Sequence, residues 1–217
     1  MKIGKVDTTI VKLPYSTGGR GNIGNMDWSM LDYVLIRIET EDGMVGWGDA
    51  FGYGGIAPAV KAMVDHRIAP SLIGKNASAV TQLSYFLQQG NHLLGRYGVT
   101  MFAISGIDIA LWDLAGKAAG VPVSTLLGGA RRTEIPAYAS LFNYTDPDQV
   151  AEHCQRAMSE GYGSVKLHET TEPAVRAARL AMGDGVPLMV DTNCPWTPWQ
   201  AKEAALSFKP YDLHWLE

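Results

Sequence analysis

The spacing of apolar residues along the chain changes period twice, and each change marks a different kind of structure. From Lys2 to about Asp49 the apolar positions fall in extended runs, "KIGKVDTTIVKL", "YVLIRIET" and "MVGWGD", and "EDG" at 41–43 supplies a tight turn between the last two. This predicts an antiparallel meander. Between its first two strands, "STGGRGNIGNMDW" (16–28) carries four Gly and two Asn, residues that permit left-handed backbone but offer little to pack. The segment reads as a loop, either a lid or a plain connection.

Helical spacing follows at about 57–69, 76–90 and 100–119. The last is the clearest, because Ile104, Ile107, Leu111 and Leu114 recur on one face, Asp113 and Lys117 form an i,i+4 pair, and Gly120 with Pro122 ends the run. Residues 1–125 therefore read as an α+β domain. After "LLGGARR" (126–132), short apolar strands alternate with helices. The strands are "IPAYASL", "SVKLH", "PLMVD" and "LHWLE", centred roughly every 24–28 residues. Asp146-Pro147, Thr171-Glu172-Pro173 and Thr197-Pro198 open the helices between them, and Gly161, Gly183 and Pro210 lie at or beyond their ends. Residues 126–217 thus read as β/α units with parallel strands, the start of an open doubly wound sheet or of a (β/α) barrel. No GxGxxG turn follows any strand, which weakens the dinucleotide-binding version.

Composition narrows the functional classes. The 217 residues are 47% hydrophobic and 18% charged, as in an ordinary globule with a real core. A net charge of −4 with scattered Lys and Arg leaves no footprint for nucleic acid or an anionic membrane. The N-terminus lacks an apolar signal core, and no continuous apolar run approaches the ~18 residues of a membrane span. Cys154 and Cys194 have no CxxC spacing and read as free thiols. The expected setting is the cytoplasm and the expected partner a small molecule.

The strand ends carry the candidate chemistry. Alternation in "SVKLH" puts Val165 and Leu167 on one face and Lys166 and His168 on the other. Parallel strands are normally buried on both faces, so a Lys and a His pointing the same way need a reason. A solvated edge strand is one; the C-terminal mouth of a barrel is another. Asp191 and Glu217 end the next two strands. Adjacent parallel strands lie about 4.8 Å apart, close enough for both carboxylates to reach one hard cation such as Mg²⁺. Taken singly, Asp191 also fits a helix cap and Glu217 an exposed end. Together the four residues suit removal of a proton next to a carboxylate, with a divalent cation stabilising the enolate and Lys166 or His168 as the base.

"AISGIDIALWDLAGKAAGVPVSTLLGG" (103–129), "VKLH", "VDTN" and "WLE" together resemble the enolase superfamily, in particular its mandelate racemase and muconate lactonizing enzyme branch. The resemblance covers essentially the whole chain and implies an α+β capping domain followed by the first strands of a modified (β/α) TIM-type barrel, incomplete at the C-terminus. It further implies that Asp191 and Glu217 are the first two Mg²⁺ ligands, that Asn193 is the Asn two residues after the first ligand, and that Lys166 and His168 are the acid/base pair. Asn193 and, from the loop, Arg20 are the candidate substrate contacts, Arg20 fitting a solvated loop charge equally well. The 16–28 segment corresponds to the loop that closes over substrate. Two departures stand out. The commoner Lys-x-Lys motif is here Lys166-Leu167-His168, which brings an imidazole to the site. The family's third metal ligand and opposite-face base lie on later strands, so the expectation is a piece of a longer enzyme, inactive by itself.

α-Proton abstraction is shared across that family, and racemisation, dehydration and cycloisomerisation differ in the fate of the enolate; the fold does not choose among them. Arg20, Asn22 and Asn25 in the loop, against Ile23, Met26 and Trp28, favour a polyhydroxylated acid. The reading is therefore a Mg²⁺-dependent acid-sugar dehydratase, expected to be a homo-oligomer. The alternatives are a racemase, epimerase or cycloisomerase of the same branch, and a non-catalytic oligomerisation module.

Overall fold

The computed structural model of the chain describes residues 1–18 and 29–217. Most of the 16–28 loop, with Arg20, lies outside the described residues. Two compact units emerge, one comprising Met1–Pro14 with Met30–Thr133 and the other Tyr15–Ser29 with Glu134–Glu217.

In the first unit, strands β1 (Ile3–Pro14), β2 (Met30–Thr40) and β3 (Val45–Phe51) form an antiparallel sheet in the order β1-β2-β3. Period-2 alternation is followed closely in β2, where Val34, Ile36 and Ile38 are fully buried and the residues between them partly exposed. The turn at 41–43 closes through Gly43, whose φ of 84° is a left-handed conformation and whose N–H donates to the Thr40 carbonyl.

The helical segment expected at 57–69 runs as helix α1 (Ala57–Met63), a π-helical turn at Val64–Ile68, and helix α2 (Ala69–Leu72). Helix α3 starts at Val80 rather than 76 and runs to Gly90, because Asn76 accepts the Ser78 N–H on its side chain and the Ala79 N–H on its carbonyl, making a turn instead of a first helical turn.

Helix α4 (Val99–Ala119) matches its expectation, with Ile104, Ile107, Leu111 and Leu114 at 0–2% exposure and Gly120 left-handed at its C-cap. A short helix α5 (Val123–Leu126) follows. Helix α4 is by length and composition alone apolar enough to cross a membrane, although Asp108, Asp113 and Lys117 interrupt its apolar run. Its apolar content has a local use: the buried face lies on β2 and β3 in the main hydrophobic core.

That packing depends on two glycines. A Cβ at Gly46 would stand 2.3 Å from the Ala110 carbonyl oxygen, and one at Gly48 would stand 2.1 Å from that of Gly106. The helix backbone therefore lies directly on the sheet backbone, and no side chain fits between.

The second unit is a parallel sheet in the order β4-β5-β6-β7, made of Ala139–Ser140, Val165–Leu167, Leu188–Val190 and Leu213–Leu216. Helices α6 (Pro147–Ser159), α7 (Glu172–Met182) and α8 (Pro198–Phe208) link successive strands. Asp146 caps α6 by accepting the Asp148 N–H, and Thr197 with Gln200 forms a capping box on α8. Strand β4 is far shorter than the 135–141 expected. Among the described residues it pairs with β5 alone, and Ile135 at its approach is 80% exposed.

Candidate active site at the strand ends

The parallel register brings the polar strand ends level. Leu167 pairs with Val190 and Val190 with Leu216, so His168, Asp191 and Glu217 follow their strands at the same height. Backbone bonds continue past the strands and fix them there: Asp191 N–H donates to Leu167, Glu217 N–H to Val190 and Thr192 N–H to Glu217. Alternation then turns Lys166 to the same side as His168.

The side chains meet at one carboxylate oxygen. Lys166 Nζ lies 3.0 Å from Asp191 Oδ2 and 3.9 Å from Glu217 Oε2, and His168 Nε2 lies 3.5 Å from Asp191 Oδ2. The other oxygen, Oδ1, accepts the Asn193 N–H at 3.0 Å. Asn193 and Cys194 are both left-handed, with φ of 55° and 58°, an uncommon pair of non-glycine residues at a strand end. The Asn193 side chain is exposed. Cys194 is an exposed free thiol, whereas Cys154 is buried, and burial pushes its thiol up to about 12.

Charge is retained in this cluster despite its partial burial. Desolvation pulls the Lys166 ammonium toward neutrality, but the hydrogen bond and charge of Asp191, with Tyr138 and Glu217, outweigh it and hold its pKa above that of an ordinary lysine. Burial likewise pushes Asp191 up; the Lys166 hydrogen bond, the Asn193 N–H, the Lys166 charge and, whenever it is protonated, His168 bring it below the usual carboxylate value.

No group of three or more His, Cys, Asp and Glu side chains able to hold a metal occurs among the described residues. Asp191 and Glu217 nonetheless present hard carboxylate oxygens, and Mg²⁺ takes one or two carboxylates while keeping several waters. Their chemistry fits two positions around such an ion, and Glu217, with its side chain 59% exposed, is open to a ligand.

Residues the sequence did not single out complete the surroundings. The His168 Nδ1 is hydrogen-bonded to the Leu141 carbonyl, and Asn143 Nδ2 donates to the His168 carbonyl at 2.7 Å. Glu169, 1% exposed, accepts the Tyr144 N–H at 2.7 Å and the Thr145 N–H at 3.2 Å, both on Oε1. The only sequence signal for Glu169 is its place directly after "VKLH".

Burial raises the Glu169 pKa; the two amide bonds and, whenever it is protonated, His168 oppose the rise without cancelling it. Between its ordinary value and the raised one, the folded state holds a proton that the unfolded chain has released. Its stabilising contribution is therefore complete below the ordinary value and is lost as pH rises through the folded pKa. Glu169→Gln is expected to remove this decline and to be more stable than the parent at neutral pH. Urea midpoints measured across pH check this, and an unchanged profile would reject it.

Both units have known counterparts. Residues 22–128 match the mandelate racemase / muconate lactonizing enzyme N-terminal domain, and residues 149–217 match the enolase C-terminal domain-like family. A 3,6-anhydro-alpha-L-galactonate cycloisomerase of Streptomyces coelicolor is 34% identical over 87% of this chain and 55% of its own length. A D-galactonate dehydratase family member of Pseudarthrobacter chlorophenolicus is 32% identical over 86% of this chain and 56% of its own.

Among solved structures, a racemase from Streptomyces coelicolor A3(2) with bound magnesium superposes with a TM-score of 0.89 at 31% identity, covering 99% of this chain and 61% of that one. The chain thus spans somewhat over half the length of these relatives. An α+β domain and the opening strands of a parallel barrel sheet, each matching its counterpart in one family and in this order, place the chain in the mandelate racemase and muconate lactonizing enzyme branch of the enolase superfamily.

Proposed function

We propose that this chain supplies part of a Mg²⁺-dependent site that removes the proton α to the carboxylate of an acid sugar, with dehydration as the outcome. The observation that carries the reading is the convergence of Lys166 Nζ and His168 Nε2 on Asp191 Oδ2, with the Glu217 carboxylate beside them. Asp191 and Glu217 are the residues that would hold the ion. When bound, a divalent cation supplies charge stabilisation for the enolate oxygens.

The protein's own groups divide the remaining work. A carbonyl only accepts, so the bond to Leu141 assigns the proton of neutral His168 to Nδ1 and leaves Nε2 with a lone pair. Nε2 is then the base that takes the α-proton. Lys166, held as an ammonium by Asp191, is a poor base as it stands; it offers a positive charge and a proton donor to developing negative charge. For dehydration, the α-C–H electrons form the new C–C double bond, the β-C–O bond breaks, and the hydroxyl leaves with a proton as water. The resulting enol becomes the 2-keto-3-deoxy acid. Arg20 and Asn193 are proposed as substrate contacts, and the whole enzyme as a homo-oligomer.

Cycloisomerisation or racemisation is the second reading, favoured by the similarity to the Streptomyces coelicolor cycloisomerase. The test is a set of acid sugars incubated with the protein and Mg²⁺ in deuterated water, read by NMR and by calorimetric binding. The expected result for this chain is Mg²⁺-dependent binding, and for the whole enzyme also α-deuterium incorporation and a 2-keto-3-deoxy product, all abolished by chelation. Deuterium incorporation without loss of water would favour the second reading. Binding without exchange would leave this chain the holding role and place the remaining proton transfer on other residues. Absence of both binding and exchange would reject the site.

A further inference from the structure

The carboxylate of Glu169 is almost fully buried, and the chemistry described above does not use it. Its Oε1 is occupied by two backbone amides, from residues 25 and 24 positions earlier, which ties it to that stretch of chain. Those amides belong to the loop leaving β4, and that loop is tied to the end of β5 at every level. Leu141 N–H donates to Lys166 at 2.8 Å, the Leu141 carbonyl accepts from His168 Nδ1, and Asn143 Nδ2 donates to the His168 carbonyl.

The loop is also strained. Thr145 is β-branched and has a φ of 63°, a conformation that persists only where its surroundings impose it. Its hydroxyl donates to the Tyr144 carbonyl at 2.6 Å, and its N–H goes to Glu169. Without an acceptor at 169, two adjacent amides would lose the partner that they share, one of them the amide of left-handed Thr145.

We propose that Glu169 is a positioning residue for His168: through the Tyr144 and Thr145 amides it holds the β4 loop so that the Leu141 carbonyl fixes the imidazole with Nδ1 protonated and Nε2 turned toward Asp191. The inference rests on the reading of His168 as the base. Its test does not, because the tautomer of a ring is observable without metal or substrate.

In protein labelled with ¹⁵N in its imidazoles, long-range proton–nitrogen correlation on the alkaline side of neutrality distinguishes the two tautomers, and the spectrum of His168→Gln assigns the signal. The expected result for the parent is the Nδ1–H form. Glu169→Ala is expected to convert His168 to a mixture in which the Nε2–H form is prominent. Glu169→Gln should restore the parent pattern, since one amide oxygen can accept both N–H groups as Oε1 does. If Glu169→Ala fails to fold, Glu169→Asp, which keeps the charge but shortens the reach, carries the test and should also release the Nδ1–H form. A purely structural role would lower stability and leave the tautomer unchanged in every folded variant, and that result would overturn the proposal. Failure of the acid-sugar assay with the tautomer shift intact would count against the catalytic reading alone.

Discussion

Gly48→Ala is expected to lower the unfolding midpoint by roughly 6–12 °C, the shift that about 3 kcal/mol produces in a chain of this size. The added Cβ would lie 2.1 Å from the Gly106 carbonyl oxygen, 2.7 Å from the Ala110 backbone nitrogen and 3.2 Å from the Ala110 Cβ. Two of these are main-chain atoms of α4, so relief requires the helix to move off the sheet rather than a side chain to change rotamer. Moving it would disturb the packing of Ile104, Ile107, Leu111 and Leu114, which rest in the same core as Val34, Ile36 and Ile38.

Gly43→Ala is the matched control. Its Cβ would meet nothing within 4 Å, and the strain comes only from a φ of 84°, about 1–2 kcal/mol. Thermal scans of the two variants decide the point. Equal losses would mean that backbone proximity at Gly48 is not what requires glycine there.

These glycines also mark where sequence reading stops. "MVGWGD" is legible as a strand from its apolar positions and the turn before it, but nothing in the run says that Gly46 and Gly48 seat a helix sixty residues later. Helix α4 was legible because its apolar face repeats at steps of three and four residues from Ile104 to Leu114, about three turns. Strand β4 was overestimated because "IPAYASL" is apolar at every position but Ser140, whereas only Ala139 and Ser140 pair with β5.

At the strand ends, alternation was enough to set Lys166 and His168 on one side and to align Asp191 with Glu217, since a parallel register preserves order along each strand. Glu169 was not legible. Its partners are backbone amides, which have no identity in a sequence, and they reach it through a loop held by a left-handed threonine. Likewise the two successive left-handed residues Asn193 and Cys194 carry no warning in "VDTNCPW", because the Asn193 amide bond to Asp191 arises only once the turn has formed.

The second large effect is expected at Asp191. Replacing one carboxylate oxygen by an amide in Asp191→Asn takes away the charge that holds Lys166 and that faces His168 Nε2, and one of two candidate ligands for the cation. Disturbing even a residue that merely supports a ligand weakens metal binding about 10–100-fold, so loss of a ligand itself should do no less. Titration with Mn²⁺, followed by water-proton relaxation, checks this on the protein as it stands, and turnover of any acid sugar found in the screen is expected to fall with it. Lys166 would lose its nearest counter-charge and become easier to deprotonate, since Asp191 is the main group holding its pKa up. Glu217→Gln should weaken Mn²⁺ in the same direction, and the double variant should lose little more than the first, because an ion already deprived of one ligand gains little from the other. Unaltered Mn²⁺ affinity in Asp191→Asn would return this residue to the role of a turn-forming acid that caps the Asn193 amide, and the strand-end cluster would then be an ion pair that stabilises the sheet rather than a site of catalysis.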